Sequence, residues 1–249
     1  KLYTKRLESA DTDERLELRR RVASLMGEKL GRPDEAITQL RAILEADPRD
    51  TASINVLDRV YRTLGRWDDL RALFDHRLAH AEDASEKWML LAEVARVEED
   101  ALGLADEASE RYRAILAIEP ADRDSLAALD RLSLAAGRYT ELANVLAKRV
   151  DHAQNDQERV PLLIRLGDVY RTHVDRPELA LASYEAAIEV ERSNAPAIIG
   201  LEAIMAAHPS LAIGAGRVLE PAYVRTGAFA KLTSVLETRR DATNDEDEK

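Results

Sequence analysis

Five histidines and a handful of clustered carboxylates are the side chains in this sequence whose chemistry could reach beyond packing. His76 and His80 stand four residues apart, a spacing that puts two imidazoles on one helical face where a metal could bridge them. The third ligand and the glutamate base of a metalloprotease signature are absent, and near a helix C-terminus two solvated histidines also suit the dipole. His152, His173 and His208 have no serine or carboxylate at a spacing that would build a catalytic triad. Nucleophile elbow, phosphate-binding loop and dinucleotide fingerprint are all missing from the sequence. Glu98, Glu99 and Asp100 lie among equally charged neighbours at a helix end and read as a solvated face. Trp67, Tyr139 and Phe229 recur at one equivalent position; a ligand-stacking ladder is one reading, and packing inside each helix pair is the preferred one. The residues therefore imply no cofactor and no metal, and they point away from catalysis.

The elements that must carry these side chains follow from composition. The 249 residues include no cysteine, so no disulfide framework, thiolate metal site or cysteine nucleophile exists. The compartment is left open, with a slight preference for the cytoplasm. A net charge of −11 repels phosphate backbones and anionic headgroups, which argues against nucleic-acid and membrane partners. No apolar run is long enough to span a bilayer. Aromatic residues make up 4% of the chain and glycines number 10, poor material for sheets and good material for helices packed through alanine and leucine. An all-α fold is expected.

The chain repeats itself every 72 residues. Gly31-Arg32-Pro33-Asp34-Glu35-Ala36 returns as Gly103-Leu104-Ala105-Asp106-Glu107-Ala108 and as Asp175-Arg176-Pro177-Glu178-Leu179-Ala180. The same step carries Leu40 to Tyr112 and Tyr184, Leu44 to Leu116 and Ile188, Val22 to Val94 and Leu166, and Leu57 to Leu129 and Leu201. Each unit divides into two halves of about 34 residues, a helix-turn-helix length. Leu163, Leu166, Gly167 and Tyr170 form one apolar stripe, and Leu179, Ala180, Tyr184, Ala187 and Ile188 form another. Ala23, Ala95 and Gly167 let the two helices of a pair approach. Pro48 and Pro120 end second helices, and Asp50 and Asp122 are expected to cap the next ones.

These residues resemble the tetratricopeptide-repeat family: Leu166, Gly167 and Tyr170 match its first helix, and Ala180, Tyr184 and Ala187 its second. The alternate halves, with Leu57, Tyr61, Gly65, Trp67, Leu70 and Phe74, fit in spacing, but Asp58, Asp130 and Glu202 stand where a small residue is expected. Close helix approach there is an open question. The resemblance implies a right-handed α-solenoid whose first helices line a concave face suited to holding another protein. On that basis the chain is expected to be a non-catalytic scaffold for a peptide, a partner domain or a small GTPase. A structural spacer or self-associating array, and a regulatory segment of a larger enzyme, are the alternatives.

The sequence divides as one solenoid domain over 1–249, with a partial preceding repeat at 1–12, units at 13–84 and 85–156, and a third unit at 157–249. Gly227-Ala228-Phe229 and Leu232 match Gly65-Arg66-Trp67 and Leu70 at an offset of 162 rather than 144, so the third unit carries 18 extra residues, one helix, around Pro209–Tyr223. The run from Asp241 to Lys249 reads as an inter-repeat loop. Both ends therefore read as cuts through a longer array, with Leu2, Leu7, Leu232 and Val235 exposed and available for self-association. Counting two residues on from each first-helix anchor gives the groove positions Ser24, Arg59, Arg96, Arg131 and Asp168. Arginine recurs there in an acidic chain. Arg96 has Glu93, Glu99 and Asp100 within helical reach, whereas Arg59 and Arg131 have no carboxylate at i±3 or i±4. A cross-helix pair with Glu28, Glu99 or Asp100 would satisfy them. Alternatively Asn55, Arg59, Arg62, Arg96 and Arg131 bind a protein or peptide partner, an acidic one being suited to the arginines.

Overall fold

A computed structural model describes residues 12–24 and 31–247. Thirteen α-helices and no strand occur among the described residues. The helices sort into two compact units, Lys1–Pro120 and Ala121–Lys249. Unit 1 holds α1 (Thr12–Ser24), α2 (Pro33–Ala46), α3 (Thr51–Leu64), α4 (Trp67–His80), α5 (Ala84–Arg96) and α6 (Ala105–Ile118). Unit 2 holds α7 (Arg123–Ala135), α8 (Tyr139–Asp151), α9 (Asp156–Val169), α10 (Pro177–Val190), α11 (Ala195–Ala207), α12 (Ala212–Thr226) and α13 (Phe229–Asp247). Inside each unit every helix packs on the next, and in unit 2 α9 also touches α11 and α10 touches α12. These second-neighbour contacts are the mark of stacked helix pairs.

Local chemistry explains where the helices start and stop. The Asp50 carboxylate accepts the Ser53 N–H at 2.8 Å, Asp122 accepts Ser125 N–H at 2.8 Å, and Asn194 accepts Ala197 N–H at 3.0 Å. Three positions 72 residues apart thus carry one N-cap. Burial by itself would raise the Asp50 pKa, but the Ser53 donors and the Arg20 guanidinium hold it below the usual carboxylate value. Gly65 closes α3 in the left-handed region at φ 65°, and Gly227 closes α12 at φ 68°.

The added helix of the third unit is now visible. A short 3₁₀ turn, Pro209–Leu211, leads into α12. Leu219, Tyr223, Gly227 and Phe229 repeat Leu57, Tyr61, Gly65 and Trp67 at the offset of 162, while α11 repeats α3 at 144. Two successive helices therefore carry the α3 pattern. Helix α13 continues through Asp247, where the spacing predicts a loop, because no glycine or proline interrupts it. Val235 is buried and Leu232 half-buried rather than exposed, since both pack against the core that α12 shares. A side chain at Gly216 would meet Val235 at 3.3 Å, so the close approach of α13 depends on that glycine. Leu2 and Leu7 lie outside the described residues.

The acidic residues at small-residue positions join helices instead of separating them. Asp130 is 3% exposed and receives Arg165 in a two-pronged contact, Nη1 to Oδ2 at 2.7 Å and Nη2 to Oδ1 at 2.6 Å. Arg149 of α8 closes on the same carboxylate, so one side chain of α7 fastens α8 and α9. Glu202 accepts the Tyr223 hydroxyl and Lys231 at 2.7 Å, tying α11 to α12 and α13. In unit 1 the residue equivalent to Arg165 is Glu93, and the sign change is absorbed by Arg62, which reaches Asp58 at 3.0 Å and Glu93 at 2.9 Å.

Tyr184 is the largest side chain fully enclosed in unit 2. Its ring stands between α9 and α11, where a side chain at Gly167 would come within 2.7 Å of Cε1 and one at Gly200 within 2.6 Å of Cε2. Its hydroxyl donates to Asp168 at 2.6 Å and accepts from Arg171 Nε at 3.3 Å. Burial first, and then the hydrogen bond to Asp168, push its pKa up to about 12 from 10.0. The unfolded chain loses this proton near pH 10, the folded one near 12. The stabilisation is therefore complete below pH 10, erodes above it, and is gone beyond 12, a loss of about 2–3 kcal/mol. Urea unfolding between pH 8 and 12 should show this slope, and Tyr184→Phe should reduce it by one proton.

Candidate functional site

Helix α3 turns Ser53, Ile54, Leu57 and Tyr61 into the core of unit 1, which leaves Asn55, Val56, Arg59, Arg62 and Thr63 on the outer face. That face borders an apolar groove of about 470 Å³ shared with α1 and α2. Ala23, Leu40, Val56 and Val60 supply its walls, with Arg59 at its edge. The repeat explains why a groove forms here. The positions of Ala23, Leu40 and Val56 are those of Gly167, Tyr184 and Gly200, 144 residues later. In unit 2 the Tyr184 ring fills the space between its two glycines; in unit 1 Leu40 stops short and the space stays open.

The arginines differ sharply in what they already hold. Arg20, also on the groove, is committed to Asp50. Arg62 is committed to Asp58 and Glu93 and lies over the Phe74 ring at 5.7 Å. Burial opposes its charge, but those two carboxylates keep its pKa raised. Arg96 is exposed and has Glu93 at 3.8 Å, the local partner its own helix offers. Asp168 is occupied by Tyr184 and Arg171. Arg131 belongs to unit 2, is exposed, and has an interaction of its own within the protein. Arg59 is exposed and forms no ion pair or side-chain hydrogen bond among the described residues. Neither Glu99 nor Asp100 pairs with it, and Glu28 lies outside the described residues. Asn55 borders a different cavity, about 320 Å³, beside Arg49 and Arg77. Of the five candidate residues the structure thus puts Arg59 alone on the apolar groove; the side chain of Ser24 lies outside those described.

Two of the histidines, His76 and His80, make backbone contacts. His76 Nε2 lies 3.2 Å from the Pro48 carbonyl, His80 Nδ1 lies 2.8 Å from the His76 carbonyl, and the two rings stand 4.6 Å apart. No cluster of three His, Cys, Asp or Glu residues able to hold a metal occurs among the described residues. No helix there is long and apolar enough to cross a membrane. Trp67 packs against the core of unit 1, and Tyr139 stacks on His173 with ring centroids 3.7 Å apart. Phe229, expected to pack likewise, is 66% exposed.

Residues 53–87, spanning α3, α4 and the first turn of α5, match the tetratricopeptide repeat family. The chain carries a tetratricopeptide repeat. The groove-bearing helix α3 thus belongs to the matched repeat, and the 72-residue step places α7 and α11 at equivalent positions. Similar solved structures include the MamA RS-1 ArsTM double mutant, 19% identical over 72% of this chain and 96% of that one, with a TM-score of 0.39. YrrB, described as a tetratricopeptide-repeat protein with an unusual peptide-binding site, is 16% identical over 79% and 96%, with a TM-score of 0.40. The TPR2AB domain of yeast Sti1 in complex with pHSP90 is 12% identical over 93% and 100%, with a TM-score of 0.33. No curated protein matches the sequence.

Proposed function

We propose that this chain is a non-catalytic scaffold that binds a segment of a partner protein along its first helices. A peptide with an apolar side chain beside a carboxylate suits the groove of unit 1: the apolar group fills the space beside Leu40 and the carboxylate meets Arg59. The observation that carries this reading is Arg59, an arginine with no partner among the described residues, at the edge of an apolar groove in a chain of net charge −11. A charge-assisted hydrogen bond there is worth about 1.5–3 kcal/mol. Arg131 is proposed as a contact of unit 2 in its own right, and Asn55, Arg62 and Arg96 as further contacts of unit 1 outside the groove.

The test is retention of a partner by the immobilised protein. Leu40→Tyr, which fills the groove, and Arg59→Glu should each lower affinity about tenfold or more, with added salt weakening the parent. Adding Arg131→Glu should lower it further. Unchanged affinity in the folded Arg59→Glu/Arg131→Glu double mutant overturns the groove assignment. Retention of nothing but further copies of the chain favours the spacer reading.

A further inference from the structure

A second cleft, of about 370 Å³, lies within unit 2 between α10 and α12. Ile188, Val218 and Ala222 give it an apolar floor, and Arg192, Arg217 and Arg225 converge on it. All three arginines are exposed, and none forms an ion pair or side-chain hydrogen bond among the described residues. Elsewhere in the same unit Arg149, Arg165, Arg171 and Arg239 all have carboxylate partners. The cleft also carries Glu185 and Glu189 on its α10 edge, neither of them within ion-pair distance of an arginine.

A cleft of about 460 Å³ in unit 1, between α2 and α4, shows arginines answered from within the protein. There Leu44 and Glu45 stand where unit 2 has Ile188 and Glu189, and Arg41 pairs with Asp69 and donates to the Tyr61 hydroxyl at 2.9 Å. Asp69 takes Arg66 as well, at 2.6 Å. At 144 residues further on Arg41 has become Glu185, and at the offset of 162 that holds beyond the added helix Asp69 has become Lys231. The carboxylate that answers the arginines in one cleft is thus missing from the other, while the arginines have been renewed from new positions.

We infer that the α10–α12 cleft binds an acidic segment of a partner protein, its carboxylates on Arg217, Arg225 and Arg192 and an apolar side chain on the floor. This contact is separate from the α3 groove and does not depend on it. Planar guanidinium groups with every donor unused are suited to carboxylates, and an apolar floor beneath them excludes water from the contact. Glu185 and Glu189 oppose the ligand and so select where along the cleft its acids can lie.

The test uses the whole chain and a fluorescein-labelled pool of short peptides in which Asp or Glu alternates with Leu, Ile, Val or Phe, read by anisotropy. A second pool has Asn and Gln in place of the acids. The acidic pool is expected to bind, and about tenfold more weakly to Arg217→Gln/Arg225→Gln. Glu185→Gln/Glu189→Gln should bind it several-fold more tightly, and the loss on Arg217→Gln/Arg225→Gln should persist in an Arg59→Gln background, where the α3 groove no longer contributes. Failure of the acidic pool to bind, equal binding of the amide pool, or indifference to the Arg217/Arg225 substitutions overturns the inference. Weakening by Arg59→Gln with no further loss on adding Arg217→Gln/Arg225→Gln would assign the binding to the α3 groove and overturn it equally. Circular dichroism of each variant confirms the fold, which these exposed positions should leave intact.

Discussion

Gly200→Ala is expected to destabilise unit 2 by about 2–3 kcal/mol, although it adds one methyl group. The new carbon would sit within 2.6 Å of Tyr184 Cε2, inside the van der Waals limit, and the ring cannot retreat because Gly167 bounds its other side. Gly167→Ala should cost a similar amount for the same reason, at 2.7 Å from Cε1. Both substitutions favour helix by about 1 kcal/mol, so a purely local account predicts the opposite sign. The control is Tyr184→Leu, which restores the volume relation that unit 1 has in Ala23, Leu40 and Val56. In that background Gly200→Ala should be nearly neutral or stabilising, a coupling measurable by urea unfolding of the four proteins in the cycle. Additive costs would show that the ring does not hold α9 and α11 at their present distance.

The second large effect belongs to Asp130. Its replacement by alanine removes one carboxylate and leaves Arg149 and Arg165 facing each other without a counter-charge. Breaking a buried pair costs about 3–5 kcal/mol. The arginines here retain partial solvent access, which lowers the expectation to about 2–3 kcal/mol. Asp130→Ala combined with Arg165→Leu should recover part of the loss, because it withdraws one of the two orphaned charges. Thermal unfolding of the single and double variants decides the matter. A double variant as unstable as Asp130→Ala would mean that the carboxylate matters for something other than its arginines.

Much of the architecture was legible because its signals are local. Asp50, Asp122 and Pro48 act within a turn of where they stand, and the 72-residue step was readable from apolar positions alone. The acid clasps were not legible, since Asp130 finds its arginines 19 and 35 residues away on two other helices. Nor could the sequence tell Arg59 from Arg131: neither has a carboxylate at i±3 or i±4, yet Arg131 has an interaction within the protein and Arg59 has none among the described residues. The groove beside Leu40 was hidden for another reason. Leucine and tyrosine are both acceptable apolar residues to a repeat pattern, and the open space appears only when their reach is compared across facing helices.

The succession of contacts, each helix on the one that follows, also bears on time. Pairs separated by turns of a few residues have little loop entropy to overcome before packing is rewarded. Within each unit, folding is therefore expected to fall in the microsecond-to-millisecond range of helical proteins with near-sequence contacts. The slowest steps should be those that gather three helices at once, where Tyr184 must be enclosed by α9 and α11 and where one carboxylate of α7 must meet both Arg149 and Arg165.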